Sequence, residues 1–210
     1  MAGLGRRAGC RARGLVLAAL GLVGVPVGAA AQELPCRRDG TEIRDVSFSG
    51  NRTFSDQELA NGIVTTPSSW ARRTFRAFGT RRCLDRTELR LDVARLLVFH
   101  RKHGFLAATV DTLIRPVGER GVRVGFTIDE GPPVRLASLR VTGVEGVPDT
   151  ARLLGALPVR AGGRFDQYQL DSARRVLARR LRDGGYPAAE VMQRFAVDTA
   201  NWLANAVLEA

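Results

Sequence analysis

Asp85-Arg86-Thr87-Glu88-Leu89 and Gly104-Phe105-Leu106-Ala107-Ala108-Thr109-Val110 lie without a gap over Asp166-Gln167-Tyr168-Gln169-Leu170 and Gly185-Tyr186-Pro187-Ala188-Ala189-Glu190-Val191. The offset is 81 throughout, and it also sets Leu96 on Leu177. Upstream, Ile43, Val46, Phe48 and Gly50 fall on Leu136, Leu139, Val141 and Gly143 at an offset of 93, so the first copy holds 12 extra residues between its halves. A repeat of this length is one supersecondary unit used twice.

Each unit reads locally in the same order. Val46 and Phe48, like Leu139 and Val141, alternate with polar residues, the period of a half-buried strand, which Gly50 and Gly143 end. Ser55 with Glu58 forms a capping box that starts a helix near Asp56, and Asp149 or Thr150 is the matching cap in the second copy. Asp85 with Glu88, and Asp166 with Gln169, open a longer helix by the same reciprocal pattern. Leu89, Val93, Leu96 and His100 follow at helical spacing, as do Leu170, Ala173, Leu177 and Leu181. Gly104 and Gly184-Gly185 stop these helices. Extended stretches are expected over 105–114 and 186–197. Strands then follow in which Val122, Val124, Phe126 and Ile128 alternate with polar residues, and over 204–210. Glu130-Gly131-Pro132-Pro133 marks a stiff boundary between copies.

Ahead of the repeat, Arg6, Arg7, Arg11 and Arg13 lead an apolar run from Leu15 to Val25, which Pro26 breaks before Ala29-Ala30-Ala31. That is the layout of a secretory signal over residues 1–31, cleaved between Ala31 and Gln32. Loss of its four arginines lowers the net charge from +11 to +7, a balance that favours anionic partners. Of three cysteines, Cys10 leaves with the signal. Cys36 and Cys83 then enter an oxidising compartment as a pair, where a disulfide is expected; two buried thiols are the alternative.

Val46-Ser47-Phe48-Ser49-Gly50-Asn51, the Asp-anchored helix running into His103-Gly104-Phe105, and Ile128-Asp129-Glu130-Gly131-Pro132 resemble the signature of POTRA domains, as found in the BamA/TamA family of outer-membrane protein assembly. The resemblance covers residues 42–210. It implies an α+β fold of tandem β-α-α-β-β modules, each a three-stranded mixed sheet covered on one face by two helices, with its second strand at an edge. The expected organisation is a lead at 32–41, a first module at 42–131 and a second at 132–210, an amino-terminal fragment without the membrane barrel.

The implied function is that of a periplasmic module associated with the outer membrane, which binds or docks polypeptides in β-barrel assembly and insertion and catalyses nothing. The alternative is the POTRA region of a related outer-membrane protein-secretion transporter. The physical means is strand addition: an exposed edge offers backbone N–H and C=O groups to an extended guest. The receiving edge is placed at Ala107, Thr109, Val110, Asp111 and Thr112, and a proline at Thr109 is expected to blunt it. Asp111 and Pro187 are also residues that protect edges from aggregation. Unfolded outer-membrane proteins and other assembly subunits are the implied partners.

The insertion carries Trp70, Arg72, Arg73, Phe75, Arg76, Phe78, Arg81 and Arg82. Trp70, Phe75 and Phe78 are expected to pack the helix layer under solvated charge. Contact with anionic lipid headgroups is the next reading, and nucleic acid comes last because an exported chain rarely meets it. His100 and His103 lie one helical turn apart, but no carboxylate nearby in sequence completes a metal site. Asp129-Glu130 reads as turn chemistry. No nucleophile elbow, phosphate-binding glycine loop or zinc-protease helix occurs, so no catalytic residue, cofactor or metal ligand is assigned.

Overall fold

The computed structural model describes Cys36, residues 40–75 and residues 78–210, all within one compact unit. The signal at 1–31, the Ala31–Gln32 cleavage point and most of the lead lie outside the described residues.

The first copy of the repeat folds as β1 (Glu42–Ser49), α1 (Asp56–Asn61), α2 (Trp70–Phe75), α3 (Arg86–Lys102), β2 (Thr109–Val117) and β3 (Gly121–Asp129). Its sheet has the order β1-β3-β2, with β1 parallel and β2 antiparallel to the central β3. The second copy folds as β4 (Arg135–Thr142), α4 (Thr150–Gly155), α5 (Gln167–Asp183), β5 (Met192–Asp198) and β6 (Leu203–Glu209), in the order β4-β6-β5. Both are mixed three-stranded sheets, and the second strand of each lies at an edge, as the sequence implied.

The alternation decides the pairing. Val46 sits opposite Val124 and Phe48 opposite Phe126, whose rings stack at 5.4 Å. The register slips at the same point in both copies, between Ile43 and Asp45 and between Leu136 and Ser138. Gly50 and Gly143 close the first strand of each copy at positive φ. A Cβ there would stand 2.0 Å from the Ile128 carbonyl oxygen or 2.1 Å from that of Ala210, so only glycine fits.

The caps follow the sequence in part. Ser55 and Glu58 form the full reciprocal box on α1. The Asp85 carboxylate accepts from the Thr87 and Glu88 amides, and that of Asp166 from Tyr168 and Gln169. Glu88 does not reach back to the cap; it pairs forward with Arg95 at 3.1 Å. On α4 neither expected residue caps. Asp149 is left-handed with no side-chain bond to the helix, and the Thr150 hydroxyl donates to the Val147 carbonyl at 2.6 Å.

Each copy has its own apolar core, with Leu96 in one and Leu177 in the other, 1% and 0% exposed at matching positions. Cys36 and Cys83 are joined by a disulfide with Cα atoms 5.3 Å apart, within the span such a bond needs.

Two expectations need correction. Residues 105–108 are a turn, in which Phe105 donates its N–H to the His100 carbonyl and buries its ring, so the strand begins only at Thr109, and in the second copy, where Tyr186 donates to Leu181, only at Met192 rather than at 186. The helix must first be capped and the chain redirected, and that uses four residues. Trp70, Phe75 and Phe78 do not pack the helix layer: they are 66%, 59% and 73% exposed. Phe54, Leu59, Ile63 and Phe105 already fill that core, and the chain turns outward after the buried Ser68.

Candidate functional site

The two edges of each sheet differ. The start of β1 is covered: Ile43 donates to the Arg82 carbonyl and accepts from Ser68, and Leu84 donates to Thr41. β4 is covered likewise by residues 162–165, through Gly162 to Leu136 and Phe165 to Val134. Among the described residues nothing comparable lies along β2 or β5, so these are the edges whose main-chain groups remain available.

Their polarity can be read residue by residue. Along an antiparallel edge strand, alternate residues turn both N–H and C=O either to the partner or outward. The Phe126 carbonyl accepts from Ser49 Oγ of β1, and the Ile128 carbonyl lies against Gly50, so these residues of β3 face β1. Their partners across the ladder, Thr112 and Val110, therefore turn their main-chain groups outward, and so does Ile114 opposite Val124. Pro116, opposite Val122, falls in the same outward set, where its missing N–H costs the ladder nothing and ends the row of donors.

Of the five residues the sequence placed on this edge, Val110 and Thr112 thus face outward. Thr109 and Asp111 are committed to Asp129 and Thr127 of β3, and Ala107 lies in the turn before the strand. Ile114 was missed. The expected effect of a proline at Thr109 is also corrected: it would break the internal ladder rather than the free edge. The matching outward residues of β5 are Gln193, Phe195 and Val197, because Ala210 bonds Thr142 and the register with β6 fixes the parity.

Beside β2 runs a groove of ≈ 340 Å³ lined by Leu89, Val93, Thr112 and Ile114, with Arg86 and Arg90 on the helix side. An added strand would turn alternate side chains toward Leu89 and Val93, on the face where the two guanidinium groups also lie. The opposite face of the sheet is polar, with Arg123 paired to Asp45 at 3.0 Å.

Three of the four buried carboxylates among the described residues, Glu130, Asp92 and Asp166, hold distant segments together through hydrogen bonds. Glu130 accepts from the Arg52 and Thr53 amides and the Thr53 hydroxyl at 2.7–3.0 Å, so it clamps the turn between β1 and α1. Turn chemistry was the expectation for Asp129-Glu130, but the turn held by Glu130 lies almost eighty residues away in sequence. Asp92, fully buried on α3, accepts from Val64 and Thr65 and pairs with Arg95. Burial pushes its carboxyl up, yet the bonds from Thr65, Val64 and Arg95 outweigh this and hold it below the usual carboxylate range. No periodicity marks Asp92, since it stands among apolar positions of its helix.

Asp166 is the third. His103 Nδ1 lies 2.7 Å from its Oδ2, and Arg164 is 3.7 Å away. The guanidinium of Arg164 lies over Phe54 at 5.5 Å and Phe105 at 5.3 Å, and the Val134 amide donates to the Gly104 carbonyl at 2.8 Å. These contacts join the two modules. His100 is buried and turned the other way, its Nδ1 2.8 Å from the Leu96 carbonyl. Among the described residues no group of three His, Cys, Asp or Glu is placed to hold a metal, and no helix is long and apolar enough to cross a membrane.

A family model, POTRA (surface antigen variable number repeat), matches residues 41–131. The outer membrane protein assembly factor BamA of Neorickettsia risticii (strain Illinois) is 28% identical over 126 residues, covering 60% of this chain. The chain spans 16% of that relative's length. Among solved structures, BamA POTRA3-5 of Haemophilus influenzae aligns with a TM-score of 0.45 at 19% identity, over 84% of this chain and 68% of that one. The N-terminal domain of Omp85 from Thermosynechococcus elongatus gives 0.42 at 21%, over 79% and 61%. CdiB from Escherichia coli gives 0.37 at 16%, over 90% and 30%.

Proposed function

We propose that this chain, whose first module matches the POTRA family model and which carries two mixed three-stranded sheets of one topology, is the periplasmic polypeptide-docking part of an outer-membrane protein assembly factor. It receives an extended client as a fourth strand along β2. The observation that carries this reading is the open row of outward N–H and C=O groups at Val110, Thr112 and Ile114 beside the Leu89–Val93 groove.

The energetics suit a client that arrives unfolded. Main-chain hydrogen bonds supply affinity with little dependence on sequence, and the groove adds a preference for alternating apolar residues on one side of the guest. Arg86 and Arg90 favour a guest with an acidic side chain or a free carboxylate near the apolar position. Capture and release of this kind need no covalent chemistry, in keeping with a frame in which Glu130, Asp92 and Asp166 are held in structural bonds.

The test is a proline at an outward position. Thr112→Pro removes one outward donor and leaves the ladder to β3 intact, so the chain should melt as before but bind a strand peptide from an outer-membrane barrel about tenfold or more weakly, the loss of one to two hydrogen bonds. Asp111→Pro, which breaks the ladder itself, should lower the melting temperature. If Thr112→Pro bound the peptide with unaltered affinity, docking on β2 would be wrong.

A further inference from the structure

The 12 extra residues of the first module build a surface that the second module lacks. Residues 59–84 contain no Asp or Glu, and residues 66–82 contain five arginines. Within them α2 buries none of its side chains, and Trp70 meets Phe75 edge to face at 5.8 Å, both largely exposed, with Phe78 more exposed still. Arg73 is exposed beside them, its guanidinium donating to the Arg44 carbonyl, a bond that leaves its charge in place.

This segment is held to the body. Ser68 donates to the Ile43 carbonyl at 2.9 Å and its hydroxyl accepts from the Arg82 amide at 3.1 Å. Ser69 donates to the Thr80 carbonyl at 3.0 Å, and the Cys36–Cys83 bond fixes the chain just beyond. The loop is therefore closed at its base and presents its aromatics outward. Three large rings in water on one closed loop are more apolar surface than scattered exposure accounts for.

We infer that this loop is a docking surface for an anionic phospholipid bilayer. Tryptophan and phenylalanine seat their rings at the headgroup boundary, the exposed Arg73 lays its stem along the same apolar layer with its charged head at the phosphates, and an acid-free segment meets no repulsion from an anionic leaflet. A second copy of the chain is a poorer occupant, because two such arginine-rich loops would face each other. The inference is independent of client docking on β2, which lies on another edge of the module.

The experiment uses the mature chain with vesicles of pure phosphatidylcholine and with vesicles containing phosphatidylglycerol. Flotation with the anionic vesicles is expected, weaker by about tenfold or more on neutral vesicles and in high salt. In a Trp202→Phe chain, where Trp70 is the sole tryptophan, its emission should shift to the blue on the anionic vesicles alone. Replacing Trp70, Phe75 and Phe78 together by Ala should abolish flotation without lowering the melting temperature, since none of the three supports the core. Equal flotation on both vesicle types, or flotation unaltered in the triple variant, would overturn the assignment. A dimer in sedimentation velocity that disappears in the triple variant would give the surface to a second copy instead.

Discussion

His103, at the end of α3, places its Nδ1 2.7 Å from the carboxylate of Asp166, the residue that caps α5. The last turn of the long helix in one module is thus bonded to the first turn of its counterpart in the next. Asp166 serves two tasks with two oxygens: Oδ1 accepts from Tyr168 and Gln169, and Oδ2 meets His103. Gly104 follows at positive φ, and a Cβ on it would stand 2.1 Å from the Phe165 carbonyl oxygen, so the joint has no room for any other residue.

The two tasks separate by mutation. Asp166→Ala should destabilise the second module by about 1–2 kcal/mol through loss of the cap alone, and should also loosen the joint. His103→Ala leaves the cap in place, so the melt of the second module should scarcely move while small-angle scattering shows a wider spread of inter-module arrangements. If His103→Ala left the scattering profile identical, the bond would not be setting the joint.

Asp92 carries a larger structural burden. Asp92→Ala leaves the Val64 and Thr65 amides without their acceptor, at a cost of about 2–4 kcal/mol to the first module in thermal or urea melts at neutral pH. Its folded carboxyl is held below the usual value of 3.8, so the stability it contributes is present above that pH and is lost as pH falls through the lower, folded value. The gap between wild type and variant should accordingly narrow in acid below about pH 4. A gap that stayed constant to pH 2 would contradict the assignment.

Leu96 and Leu177 occupy one position of the repeat and both are closed to solvent. Leu96→Ala and Leu177→Ala should each cost about 2–5 kcal/mol, and each loss should fall on its own module. Hydrogen exchange resolves this: amides of β1–β3 should exchange faster in the first variant and those of β4–β6 in the second. Equal loosening of both sheets in either variant would mean that the modules share one cooperative core.

The disulfide joins residues 47 apart in sequence and anchors the segment before β1 to the cap of α3. Reduction should lower stability by about 2–4 kcal/mol, the range for a loop of this size, and should act on the first module. A melt of the reduced chain that matched the oxidised one would show that the bridge contributes no stability.

The sequence by itself determined the repeat, the strand and helix order apart from α2, the long helices with their aspartate caps, the alternation that buries one sheet face, and Leu96 and Leu177 as matching core positions. All of these are written in local periods and short motifs, where each residue's role depends on neighbours within one turn or one strand. Tertiary structure alone decided which main-chain groups of β2 face outward, because that parity is set by β1 and the Gly50 that follows it acting across the central strand, nearly eighty residues from Ile128. It also decided the roles of Asp92, Glu130 and Asp166, whose partners come from distant segments and follow no period. The exposure of Trp70, Phe75 and Phe78 belongs to the same class. An aromatic packs inward only if the core has room, and the room had already been taken by Phe54, Leu59, Ile63 and Phe105.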